Sequence, residues 1–369
     1  MKAMVNFFKR ETVLTVAWAL ALVSMILVPP DGGYRDYIDF DTLMLLFSLM
    51  AVMAGLQRLG LFRCLGEGLL ARTATTRQLE AALIFLPFFT SMAVTNDVAL
   101  ITFVPFALEV LKLAGREDRL IPVVVLQTIA ANLGSMTTPI GNPQNLYLYS
   151  HYGFGLGSFF RTMLPLTAGS ALLLGCCLLC TRSEALSIPK PAARPAPDRT
   201  WLTLYGCLFL LCLGAVAKIL PVWSPAALVL LLLLVADRPT LRRVDYSLLL
   251  TFLGFFLFVG NLGRLPMFSD FFQRILTGHE VLCAVLASQV ISNVPAALLL
   301  SGFTENGTAL LVGTNLGGLG TLIASMASLI SYKQLAGTHP QLRGRYLGCF
   351  TLANGAFLLA LLGLYALIF

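Results

Sequence analysis

Thr95-Asn96-Asp97-Val98-Ala99-Leu100 opens with three consecutive polar residues. The apolar runs 81–94 and 98–111 flank and overlap this stretch. Neither run reaches the roughly 20 residues that span a bilayer as a helix. The two runs read as a helical hairpin that enters a membrane, turns at mid-depth and leaves by the same face. Polar residues at that depth are tolerated where they are buried in protein or line a cavity. Asn96 suits the cap of the returning half-helix, whose free N–H groups then face inward.

Hydrophobic residues make up 57% of the chain and charged residues 12%, with mean hydropathy +0.83. A soluble domain needs far less apolar surface, so the chain reads as an all-α polytopic membrane protein. Lys2, Lys9 and Arg10 precede a first apolar run, residues 13–28, as they would in a signal peptide. Pro29-Pro30-Asp31 is not a small-residue cleavage site, so a retained first helix is expected. The net charge of +7 is attributed to a positive-inside bias, and no nucleic-acid partner is expected. Cys176, Cys177 and Cys180 lack polar company and read as small packing residues. His151, His279 and His339 fall in expected loops without ligand spacing. No phosphate-binding loop and no nucleophile–base pair is visible. The chain is therefore not expected to be an enzyme, to use ATP directly or to carry a cofactor.

Taken in order, helices are expected over about 12–28 and 41–58, then an amphipathic connector over 58–80 and the hairpin. Residues 120–150 are interrupted by Asn132, Gly134, Thr137, Thr138, Pro139, Gly141, Asn142, Pro143 and Asn145. They read as two half-helices with an unwound middle, the second capped at Asn142 with Pro143 in its first turn. A helix at 157–180 closes a first half, residues 1–180. Residues 181–200, with Pro189, Pro191, Pro195 and Pro197, form a cytoplasmic linker. The second half, 201–369, is expected to hold helices at 201–219, 225–236 and 246–262 and a connector at 263–280. A hairpin turning at Ser292-Asn293-Val294-Pro295 follows, then a helix broken within 307–332 and a last helix at 346–368.

The halves repeat in order. Asp41-Thr42-Leu43 answers to Asp245-Tyr246-Ser247, Thr95-Asn96 to Ser292-Asn293, and Asn132-Leu133-Gly134 to Asn315-Leu316-Gly317. With the N-terminus inside, 20 of the 25 Lys and Arg residues fall on the inner side. Arg35, Arg161, Lys218, Arg264 and Arg274 remain outside. That bias places the N-terminus in the cytoplasm, brings the two hairpins in from opposite faces and makes the repeats inverted.

Two hairpin tips and two helix breaks meeting at mid-membrane make a substrate site. Thr95, Asn96, Thr138, Asn142, Ser292, Asn293 and Thr321 are the expected substrate contacts. Asp97, Asn96, Thr137, Asn293, Gly317 and Gly320 are the expected ion-coupling positions. Half-helix N-termini suit an anion, while unwound carbonyls and Asn or Thr oxygens suit a sodium ion. The competing reading is that Ser, Thr and Asn join helices and that Gly permits close approach. Asp97 is the single acid expected near mid-membrane, where proton or cation coupling competes with simple helix capping. No buried Lys or Arg is expected at the site.

These stretches, with Leu133-Gly134-Ser135-Met136-Thr137-Thr138-Pro139-Ile140-Gly141-Asn142-Pro143-Gln144-Asn145 the most specific, resemble the ion transporter superfamily. That group includes divalent anion/sodium symporters, citrate transporters, arsenite efflux permeases and one class of sodium/proton antiporters. The chain is most similar to bacterial citrate-transporter-like and arsenite-permease-like anion permeases. The resemblance implies a scaffold domain, a moving transport domain, elevator-type alternating access and a homodimer in the cell inner membrane. The symporters carry Ser-Asn-Thr at each tip, where this chain has Thr95-Asn96-Asp97 and Ser292-Asn293-Val294. The expected function is secondary transport of a small anion or oxyanion, with sodium or a proton as coupling ion. A sodium/proton antiporter using Asp97 and a metalloid efflux permease are the alternatives.

Overall fold

The computed structural model describes residues 11–70, 73–186 and 197–369, and every regular element among them is a helix. Lys2, Lys9, Arg10, Arg72, Lys190 and Arg194, and residues 187–196 of the proline-rich linker, lie outside the described residues. The first part of the chain holds α1 (Thr12–Leu27), α2 (Phe40–Arg58), α3 (Leu61–Leu70), α4 (Thr76–Thr90) and α5 (Asn96–Leu113). It continues with α6 (Leu120–Ser135), α7 (Pro143–His151) and α8 (Leu156–Leu179). The second part holds α9 (Arg199–Val216), α10 (Trp223–Ala236), α11 (Tyr246–Gly263), α12 (Pro266–Leu276) and α13 (Glu280–Ile291). It ends with α14 (Asn293–Ser301), α15 (Gly307–Leu316), α16 (Met326–Thr338) and α17 (Arg343–Ile368). Among the described residues, five helices are long and apolar enough to cross a bilayer, or six if the bent α12–α13 pair counts as one.

Both long helices that precede a connector start on an aspartate cap. Asp39 accepts from the Thr42 N–H at 2.9 Å, and Asp245 accepts from the Leu248 N–H at 3.0 Å. The first cap is therefore Asp39 rather than Asp41, two residues earlier than the sequence pattern suggests. The connectors then fold as α3 and α12. On α12, Met267, Phe271 and Ile275 recur every fourth residue and are all exposed. Such a stripe fits a helix lying along a bilayer surface. Gly278, at φ +79°, lets the chain turn 111° between α12 and α13. His151, expected in a loop, instead ends α7 and stacks on the Tyr147 ring at 5.2 Å.

Two groups of helices emerge from the packing. In one, α1 lies against α11 where Gly254 meets Ala17. The Asn261 Nδ2 donates to Ser24 Oγ at 2.9 Å, and the Trp18 Nε1 to the Leu250 carbonyl at 3.1 Å. Helices α9 and α10 cover α2, and the Tyr205 ring occupies the space that a Cβ on Gly55 would take. The Tyr205 hydroxyl continues to the buried Asp237, 2.6 Å away, which also accepts from Thr240 at 2.9 Å and pairs with Arg58. Three donors around one buried carboxylate fix the ends of α2, α9 and α10 together.

The other group is built on α6 and α15. Helices α4 and α5 both pack on α6, and α13 and α14 both pack on α15. The second half-helices cross over: α16 lies on α5, and α7 lies on α14. Glu80, at the start of this group, is buried and doubly bonded by Arg119 at 2.6 and 3.0 Å. Its Oε2 also accepts from Thr181 at 2.9 Å, which fastens the end of α8 to α4.

Candidate functional site

The polar residues of the four interruptions converge on one buried network. At each helix–turn–helix tip the returning helix begins in the same way. The Asn96 N–H donates to the Gly141 carbonyl at 3.2 Å, and the Asn293 N–H to the Ala324 carbonyl at 3.0 Å. The Asn96 Oδ1 accepts from the next N–H, that of Asp97, at 3.0 Å, and the Asn293 Oδ1 from that of Val294 at 3.0 Å. Each tip is thus hooked onto the unwound segment between two half-helices.

The half-helices are cross-linked in matching fashion. Asn142 caps α7 by accepting from the Asn145 N–H at 3.0 Å and donates to Asn315 Oδ1 at 3.1 Å. The Asn315 Nδ2 donates in turn to Asn145 Oδ1 at 2.6 Å. On the opposite crossing, Asn132 Oδ1 accepts from Ser325 Oγ at 3.1 Å and its Nδ2 donates to Ser328 Oγ at 3.3 Å. The Asn96 Nδ2 also donates to Asn132 Oδ1, at 2.8 Å. All of these side chains are buried.

Two glycines allow the close approach. A Cβ on Gly134 would lie 2.0 Å from the Phe88 carbonyl oxygen, and one on Gly317 would lie 2.6 Å from Ser288 Oγ. Each is the contact of a broken helix with the first arm of its neighbouring tip.

The remaining candidates divide. Thr138 donates to the Met92 carbonyl at 2.5 Å and so joins the first unwound segment to the first tip. Thr137 turns the other way, to Thr167 of α8 at 3.1 Å. Thr321 is exposed; its N–H donates to Gln289 Oε1 at 2.8 Å and its hydroxyl to the Gln289 carbonyl at 3.2 Å. Gly320, at φ +106°, has no room for a Cβ beside Gln289. Ser292 adopts φ +74° and ψ 156°, a region that is almost exclusive to glycine, whereas Thr95 at the other tip is relaxed at φ −66°.

Two residues escaped the sequence reading. Gln289 donates from Nε2 to the carbonyls of Gly317 at 3.0 Å and Leu319 at 2.9 Å, holding the second unwound segment open. Its only sequence signal is a polar residue one turn before a tip in an otherwise apolar helix. Arg243 is the other. A cavity of about 170 Å³ lies beside the first tip. Its wall includes Met53 and Gln57 of α2, Thr95, Asp97 and Val98 at the tip, Pro143 of α7, and Arg243 with Asp245 ahead of α11. Arg243 is exposed and lines this cavity. The carboxylate of Asp97 and the hydroxyl of Thr95 have no hydrogen-bond or ion-pair partner among the described residues, and both residues line the cavity.

A bundle with several membrane-length helices around paired, polar, interrupted segments defines a multi-pass membrane transporter, and sequence comparison agrees. Inner membrane protein YbiR of Escherichia coli is 32% identical over 305 residues, covering 80% of each chain. The transporter MJ0456 of Methanocaldococcus jannaschii is 31% identical over 301 residues, covering 80% of this chain and 81% of that one. The silicon efflux transporter LSI3 of rice is 33% identical over 147 residues, 40% of this chain and 30% of that one. Residues 4–312 match the sequence profile of the citrate transporter family, CitMHS, and the chain belongs to that family.

Proposed function

We propose that the protein is a secondary active transporter that carries a small anion or oxyanion across a bacterial inner membrane by elevator-type alternating access. The observation that carries this reading is the matched pair of hooks, Asn96 onto Gly141 and Asn293 onto Ala324. They bring two half-helix N-termini and two unwound segments to one place. On this reading the halves are inverted repeats and α4–α5 and α13–α14 are re-entrant hairpins. The group around α2 and α11 is the scaffold, and the group around α6 and α15 is the moving unit. The ion pairs support the division of the connecting segments between two faces of the membrane. Arg58–Asp237, Arg63–Glu109, Arg116–Glu184 and Arg119–Glu80 each join segments assigned to the cytoplasmic side, and Arg264–Asp31 joins two assigned outside. A homodimer in the inner membrane completes the proposal.

The substrate rests against Thr95 and Asn96 at one tip and Ser292 and Asn293 at the other, with Thr138, Asn142 and Thr321 on the unwound segments. Sodium or a proton is the coupling ion, with Asp97, Asn96, Thr137, Asn293, Gly317 and Gly320 as the coupling positions. The cavity is smaller than the roughly 300–1,000 Å³ of drug-sized sites, which favours a compact substrate. A metalloid oxyacid efflux permease is the second reading, favoured by the similarity to the rice silicon efflux transporter. Purified protein in liposomes, offered arsenite, citrate, succinate, sulfate and phosphate under sodium or pH gradients, tests the proposal. Gradient-driven flux of a small oxyanion is expected; absence of flux for every solute under both gradients contradicts it.

A further inference from the structure

Three ionisable groups line the cavity at the first tip: Asp97, Asp245 and Arg243. Asp245 is committed to the fold, since its Oδ1 caps α11 at the Leu248 N–H. The other two are free. Neither Asp97 nor Arg243 forms an ion pair or a side-chain hydrogen bond among the described residues. Arg238, five residues earlier, is by contrast tied back to the Leu234 carbonyl at 2.7 Å, and neither it nor Arg242 reaches the cavity. Of the three arginines on this turn, Arg243 alone lines the cavity.

We infer that Arg243 is the specificity-determining residue for charge at this site, supplying from the scaffold side the positive counter-charge for an oxyanion held at the Thr95–Asp97 tip. The inference rests on the carrier reading above. A guanidinium presents a planar fork that matches two oxygens of a carboxylate, sulfate or phosphate, and its charge persists at any working pH. Thr95 adds an unpaired hydroxyl to the residues of the same lining. Ionised Asp97 can only accept hydrogen bonds, so an oxyanion at the tip meets attraction from Arg243 and repulsion from the Asp97 carboxylate. The arginine therefore decides whether a charged or a neutral oxyacid is preferred. Because it stands on the turn before α11 and not on the unit that carries the tip, its pull acts only while the two face each other. Its effect belongs to binding from this side of the membrane rather than to the transit step.

The field at the tip can be read without transport. Full-length protein carrying Thr95→Cys, or Val98→Cys as a second reporter, is reacted with anionic sulfonatoethyl and cationic trimethylammonioethyl methanethiosulfonate. Peptide mass spectrometry reads modification at the reporter position, apart from the eight native cysteines. Adding Arg243→Gln is expected to lower the anionic-to-cationic rate ratio about tenfold, since removing one unit charge acts on both probes in opposite senses. Arg243→Lys is expected to restore most of the ratio, and Arg242→Gln to leave it unchanged. An unaltered ratio in Arg243→Gln at both reporters overturns the inference. In liposomes, Arg243→Gln is expected to raise KM for sulfate or phosphate about tenfold with kcat retained, while leaving KM for neutral arsenous acid in place. An equal rise for neutral and anionic solutes makes Arg243 a structural residue and also overturns the inference. If the labelling ratio shifts but wild type carries none of these solutes, the carrier reading fails for them and the charge assignment stands.

Discussion

Asn142 Nδ2 donates to Asn315 Oδ1 at 3.1 Å, joining the cap of one half-helix to the end of another that lies 173 residues further along the chain. Asn132 reaches Ser325 in the matching position on the other crossing. The two broken helices are thereby bound into one body through buried amides, although neither has a continuous backbone ladder. In a bilayer, where unpaired polar groups are costly, such cross-bonds also complete the hydrogen bonding that the breaks leave open.

Asn315→Ala removes partners from both Asn142 and Asn145. The Asn142 Nδ2 keeps Ser135 Oγ as an acceptor at 3.2 Å, so the Asn145 oxygen is the group left unpaired, and a loss of about 1–3 kcal/mol is expected. It appears as a lowered Tm of the detergent-purified protein. Asn142→Ala with Asn315→Ala should cost less than the sum of the single changes, because the residues share a bond. Strict additivity would show that the bond carries no energy.

The two tips should answer oppositely to glycine. Ser292 is held at φ +74°, a strain of about 1–3 kcal/mol that Ser292→Gly relieves. A higher Tm is expected. Thr95 has an ordinary backbone, so Thr95→Gly adds only unfolded-state freedom and should lower stability by about 0.5–1 kcal/mol. Equal effects at both positions would remove the asymmetry between the tips.

Gly134→Ala is expected to be worse than Gly317→Ala. The added methyl at Gly134 would lie 2.0 Å from the Phe88 carbonyl oxygen, whereas at Gly317 the nearest atoms, the Ser288 hydroxyl and the Gly313 carbonyl, lie at 2.6 and 2.7 Å. Overpacking of this kind costs about 1–3 kcal/mol, and Gly134→Ala should lie at the upper end. Parallel thermal melts of the two variants make the comparison.

Asp97→Asn keeps the shape of the side chain and removes its charge. If Asp97 couples a cation or proton to movement, the variant should bind substrate but lose the dependence of flux on pH or sodium, or stop cycling. Flux in liposomes, against pH at fixed sodium and then the reverse, separates coupling from capping. Identical profiles for both proteins would reduce Asp97 to a first-turn residue of α5.

Local sequence announces the breaks well. Asn142-Pro143 marks a cap and a first turn, and Asn142 does cap α7; polar tips between short apolar runs mark the turns at 91–95 and 292. What pairs with what across the bundle was not legible. The bond from Asn142 to Asn315 and the meeting of Arg243 and Asp97 in the lining of one cavity depend on how distant helices cross, and no local period encodes that. The strain at Ser292 was hidden too, since serine is an ordinary turn residue and gives no sign of a positive φ. Asp39, not Asp41, became the cap because α2 starts at Phe40, a shift within the usual uncertainty of helix ends.

The central claim is that two helix pairs enter from opposite faces and meet at one site. Glu117 lies exposed between α5 and α6, and Glu305 lies exposed between α14 and α15. Glu117→Cys and Glu305→Cys, each in oriented membrane vesicles, are treated with a membrane-impermeant maleimide from either side and mapped by peptide mass spectrometry. Position 117 is expected to be labelled only from the cytoplasmic face and position 305 only from the outer face. Labelling of both from the same face would contradict it.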